Sequence, residues 1–115
     1  MKLLDKRINK KELQKIADER FGDLVKVVVD IKNEIMVVGG ELHSDEEAKL
    51  LQDHGSNQND LWGINLYPAN EGDKFLEFDS LINIRPSLNN RSRDVMDPNI
   101  RKKIIDIVNK LIEKG

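Results

Sequence analysis

Apolar positions along this chain switch between helical and strand spacing, and each switch marks an element. Leu13, Ile16, Ala17 and Arg20 follow one helical face that Phe21 closes. Asn9 stands where a helix needs a cap, with Glu12 three residues on, and Gly22 suits the C-terminal end. Val25, Val27, Val28, Val29 and Ile31 then give a β-branched run. Lys32-Asn33 is the expected turn, with Asn33 in the left-handed conformation, and Ile35 to Val38 is the returning strand up to Gly39-Gly40. Ser44 and Glu47 read as a second capping box, opening a short helix that ends near His54 and Gly55.

Beyond the polar loop Gly55 to Asp60, the chain predicts a third strand from Leu61 to Tyr67, stopped by Pro68. A fourth is expected from Phe75 to Arg85, stopped by Pro86. Asp97 and Pro98 open the last helix, whose stripe is Ile100, Ile104, Ile107, Val108 and Leu111. The expected architecture is α+β, a four-stranded mainly antiparallel sheet with three helices on one face, in the order α-β-β-α-β-β-α. Residues 1–115 are read as one domain.

Period-two alternation divides the third and fourth strands into two faces. Trp62, Ile64 and Leu66 are assigned to the core, with Leu76, Phe78, Ser80, Ile82 and Ile84. The opposite face then gathers Asn65, Tyr67, Glu77, Asp79, Asn83 and Arg85. Asp79 and Asn83 are poor strand formers inside a strand pattern, which marks this face for a polar ligand. Next comes Asn89-Asn90-Arg91-Ser92-Arg93, where Arg91 and Arg93 suit bidentate contacts to phosphate or carboxylate. No phosphate-loop motif is present, so an anion site has to be assembled from these parts. A second cluster, Gly39-Gly40-Glu41-Leu42-His43-Ser44-Asp45-Glu46-Glu47, offers His43 as a general base. Glu41, Glu77 and Asp79 offer oxygen ligands for a divalent ion such as magnesium.

Composition narrows the classes of function. The 115 residues contain no cysteine, which removes disulfides, thiolate metal sites and cysteine nucleophiles. The start of the chain lacks the apolar stretch of a secretory signal, and no apolar run reaches the ~18 residues that span a bilayer. The expected location is cytoplasmic, with no membrane partner. A net charge of −2 with 35% charged residues disfavours a general nucleic-acid-coating protein. Nucleic-acid stacking on the sheet is also disfavoured, because few aromatics are left to face outward. Charge is segregated: Glu41 to Asp79 holds ten acidic and two basic residues, and Arg85 to the end holds eight basic and four acidic. That split leaves self-association and partner binding open.

Several strings taken together carry a resemblance. They are Gly39 to His43, Asp60-Leu61-Trp62-Gly63-Ile64-Asn65-Leu66-Tyr67-Pro68, Glu77 to Pro86 and Asn90-Arg91-Ser92-Arg93. Over nearly its whole length the chain resembles a family of small bacterial and archaeal proteins known as a domain of unknown function. The resemblance implies a free-standing domain and brings no activity, cofactor or catalytic residue with it. The functional expectation is a binding module for a small anionic ligand, such as a nucleotide or organic acid. Its site would be Asn65, Tyr67, Asn83, Arg85, Asn90, Arg91 and Arg93. The alternatives are a metal-assisted phosphoester hydrolase and a protein-interaction module; the cofactor is left undetermined.

Overall fold

In a computed structural model, which describes residues 1–114, the chain runs β1 (Lys2–Leu4), β2 (Ile8–Asn9), α1 (Lys10–Asp18), β3 (Val25–Asp30), β4 (Ile35–Val38) and α2 (His43–Asp53). It continues through β5 (Leu61–Leu66), β6 (Leu76–Glu77), α3 (Pro98–Leu111) and β7 (Ile112–Glu113). The class is α+β with three α-helices, as expected, but the main sheet has five strands rather than four, in the order β1-β4-β3-β5-β6. Every neighbouring pair in it is antiparallel. A separate two-stranded parallel pairing, β2 with β7, ties the segment before α1 to the segment after α3.

The helices cover both faces of the sheet, not one. Val27 and Val29 of β3 point into a large core with Leu13 and Ala17 of α1 and Ile104, Ile107, Val108 and Leu111 of α3. Val28, between them, faces the other way and meets Leu50 of α2, Val37 and Leu61. A central strand buried on both sides reads as a continuous apolar run, which is why Val27-Val28-Val29 does not alternate. Trp62, Ile64 and Leu66 enter the larger core as the alternation predicted, and Trp62 is buried.

Local signals were honoured unevenly. Asn9 caps α1, its side-chain oxygen accepting from the Glu12 N–H at 2.8 Å. Asp97 caps α3 in the same way, with Pro98 in the first turn. Ser44 does not cap α2: the helix begins one residue before it, Leu42 holds the cap position, and no side chain bonds there. In the β3–β4 turn the left-handed residue is Glu34 (φ 57°), not Asn33. Buried Asp30 organises that turn, accepting from the N–H groups of Lys32 and Asn33, the Asn33 amide and the Ser56 hydroxyl.

The expected fourth strand survives only as β6. Beyond Glu77 the chain leaves the ladder and makes 3-10 turns at Leu81–Asn83 and Pro86–Leu88. The first turn lies flat on β5 over Gly63, so Ile84, assigned to the core, is exposed, and Ile82 packs on the α2 side. A Cβ on Gly63 would lie 2.5 Å from both Cβ and Oγ of Ser80. Gly63→Ala is therefore expected to cost about 1–3 kcal/mol through overpacking. Chemical denaturation should show the loss, and adding Ser80→Gly should return part of it. A neutral Gly63→Ala would mean that the turn does not rest on the strand.

Candidate functional site

Most of the expected site residues lie in the segment from Glu77 to Asp94, and the bonds they make decide what each can do. Asn83 is fully buried. Its side-chain oxygen accepts from the Gly63 N–H at 2.8 Å, and its amide donates to the Gly63 and Arg93 carbonyls, each at 2.9 Å. The side chain thus supplies the ladder bonds that β6 would have given β5. Asn90 is equally committed: its amide donates to the carbonyls of Asn83, Ser92 and Asp94, and its oxygen accepts from the Met96 N–H. Arg85 and Asn90 exchange main-chain bonds at 2.7 and 3.1 Å, closing a loop around Asn89 at φ 58°. The Arg85 guanidinium donates to the Leu61 carbonyl and to Glu47 at 2.8 Å, with both side chains largely buried.

Asn83, Arg85 and Asn90 thus form a clasp that holds the 80–96 segment on the sheet. Arg91 is exposed and stands outside it. Burial lowers the Arg85 pKa, and the Glu47 carboxylate opposes that shift.

Asn65 and Tyr67 do share a face with Glu77, as the alternation implied. Both donate to Glu77 Oε1 at 2.9 Å, and Asn65 reaches on to the Asp79 carbonyl. Burial first and the Glu77 carboxylate second push the Tyr67 hydroxyl up to about 12, so it stays a donor throughout the physiological range. Asp79 pairs with Arg93 at 2.5 Å. Glu41 turns instead toward Arg20, at 3.8 Å. Glu41, Glu77 and Asp79 therefore do not converge as a metal set. Among the described residues no three histidine, cysteine, aspartate or glutamate side chains are grouped to hold an ion.

The concavity on this face lies between the start of α2 and the turn after β6, with a volume of about 200 Å³. Lys26, His43, Ser44, Ser80 and Arg93 line it, and the exposed side chains of Leu42 and Leu81 stand at its rim. The first N–H groups of a helix have no partner within it, and the helix dipole gives that end partial positive charge. The Leu42 carbonyl accepts from the Asp45 and Glu46 N–H groups, but its side chain offers nothing to those of His43 and Ser44, whereas the side chains of Asn9 and Asp97 cap the other two helices. Lys26 has no carboxylate partner among the described residues; its ammonium lies 5.6 Å from the centre of the Phe21 ring.

His43 is 8% exposed, and its Nε2 lies 2.8 Å from the Ile64 carbonyl. A carbonyl only accepts, so Nε2 carries the proton and Nδ1 keeps the lone pair. Burial pulls the imidazole pKa below its ordinary value, with the Ile64 bond opposing the shift, so the ring is neutral at pH 7. Lys26 and the open start of α2 carry no mark in the sequence, whereas Ser44 lies inside the Gly39–Glu47 cluster. The available signal was an apolar residue, Leu42, where a helix cap belongs.

Among the described residues no helix is long and apolar enough to cross a membrane. No curated protein and no solved structure gives a significant match to the chain. The model of a family described as a protein of unknown function (DUF5674) matches residues 2–111. With nearly the whole chain inside that match, the protein belongs to the DUF5674 family.

Proposed function

We propose that the chain is a binding module for a small anion, a carboxylate or a phosphate, held at the start of α2. The observation that carries this reading is an uncapped helix end beside an unpaired lysine, both lining one cleft. An anion there would accept from the His43 and Ser44 N–H groups and face the charges of Lys26 and Arg93. The unprotonated Nδ1 of His43 can accept a hydrogen bond from an O–H of the ligand, which suits a monoanion of phosphate or a hydroxy acid. Arg93 keeps its expected role in this reading, and Tyr67 and Asn65 position Glu77 behind the cleft. Arg85, Asn83 and Asn90 act through the clasp that sets the far wall.

A thermal-shift series with inorganic phosphate, citrate and nucleoside monophosphates tests the reading. At 100 times its dissociation constant a ligand stabilises the fold by about 2.7 kcal/mol. The midpoint should then rise by roughly 4 °C or more per kcal/mol in a domain of this size. Lys26→Glu is expected to abolish the shift, and Arg91→Glu, outside the cleft, to keep it. The reverse pattern would move the anion to the Asn89–Arg93 loop, and no shift with any of the probes would remove the reading.

A further inference from the structure

A concavity of about 380 Å³ lies on the opposite face of the sheet, between β6 and α3. One wall is the free edge of the sheet. β6 is its last strand, bonded only to β5. The Tyr67 N–H donates to the Phe75 carbonyl at 2.8 Å, and Leu66 stands opposite Leu76. In an antiparallel ladder, hydrogen-bonded and non-bonded pairs alternate, so the main-chain groups of Phe75 and Glu77 face β5 while those of Leu76 face outward.

The other wall is a stripe of α3, Arg101, Ile105 and Asn109, spaced by four and so aligned along the helix. Lys114 stands at one end of the groove. Arg101 is held in place over the Phe78 ring at 4.5 Å and by Asp94. Ile105 is an apolar side chain left 40% exposed.

An open strand edge facing a helix across a groove is the geometry of strand addition, where a peptide's main chain bonds the edge and its alternate side chains enter the groove. Charge selects the peptide. Arg101 and Lys114 line the groove with Lys10 close by, its ammonium 5.4 Å from the Phe75 ring, and among the described residues Asp73 is the one acidic side chain in the lining. A nucleic acid is the poorer occupant, because Phe75 is buried beneath the two lysines and offers no face for a base.

We infer that the groove between β6 and α3 binds an extended acidic peptide that adds a strand to β6. The peptide side chains entering the groove would be an apolar residue against Ile105 and, two positions away, an acidic residue near Lys114 or Arg101.

Selection from a phage-displayed library of random heptapeptides tests this on the intact chain. The expected outcome is enrichment of sequences with an apolar and an acidic residue two apart. Synthetic copies should lose at least tenfold in affinity against Ile105→Glu, whose change is on the surface, and should lose binding when their edge-facing amides are N-methylated. Lys26→Glu should leave the affinity unchanged, which separates this surface from the anion cleft. Failure to enrich any sequence, enrichment of basic sequences, indifference to N-methylation, or displacement by a single-stranded oligonucleotide would each overturn the inference.

Discussion

Asn83→Ala is expected to lower stability by about 3–5 kcal/mol, because it strips partners from buried main-chain groups that each cost roughly 1–3 kcal/mol when left unsatisfied. Those groups are the Gly63 N–H and the Gly63 carbonyl, bonded by this one side chain at 2.8 and 2.9 Å; the Arg93 carbonyl loses one of two donors and keeps the Ser80 N–H at 3.1 Å. Gly63 lies in the middle of β5, and Asn83 is fully buried, so water has no ready access to replace the bonds. Asn83→Asp is the more telling variant. It keeps the shape and the acceptor for the Gly63 N–H but turns a donor amide into an oxygen facing two carbonyls. Its loss should equal or exceed that of alanine, although the volume is preserved. Urea unfolding of the three chains reads this directly. Losses below about 1 kcal/mol for both variants would mean that Asn83 is not what holds the turn on the sheet.

Asn83 also shows where the sequence stopped being legible. Its position inside an alternating run predicts a polar group displayed on a strand. The poor strand propensity of Asp79 and Asn83 is the local sign that the strand ends early. The ladder bonds come from a side chain, which no propensity scale encodes. Where structure follows local chemistry, the reading held: Asn9 and Asp97 cap their helices, and Trp62, Ile64 and Leu66 fill the core.

Other features needed information that lies far away in the sequence. The strand Lys2–Leu4 is three residues among charges and exists because β4 offers an edge. The pairing of Ile8-Asn9 with Ile112-Glu113 joins the two ends of the chain. The second covered face was announced by the unbroken Val27-Val28-Val29, since a strand with one solvated face alternates. The site divided along the same line. Asn65, Tyr67 and Glu77 came together through simple strand parity. Lys26 meets the start of α2 only through the sheet order.

The second large effect concerns Glu46, an acid in the first turn of α2. It is fully buried, and one carboxyl oxygen accepts from the Gly40 N–H at 2.9 Å. The other has no partner among the described residues. The approach is close: a Cβ on Gly40 would lie 2.7 Å from Glu46 Cγ, so glycine is required there. Burial raises the Glu46 pKa from 4.5 to about 9, with the Gly40 bond opposing it, so the folded chain holds this proton at neutral pH. Between those two values the folded state binds a proton that the unfolded state has released. Stability therefore falls as pH rises through this window, by up to about 1.4 kcal/mol per unit, and the loss is complete above the folded value.

Glu46→Gln keeps an oxygen for the Gly40 N–H and cannot ionise. The two chains should have similar stability near pH 5, and the variant should gain steadily up to pH 9, by an amount on the order of several kcal/mol. Since net stability is only about 5–15 kcal/mol, the gain is a large share of the whole. Taking the difference between the two chains at each pH cancels the contributions of other groups, including His43, whose lowered pKa acts on the acidic side. Guanidinium denaturation at several pH values between 5 and 9.5 gives the curve. A constant difference across that range would show that the Glu46 carboxyl ionises as freely in the folded chain as in the unfolded one, and that the turn from β4 into α2 is open to water.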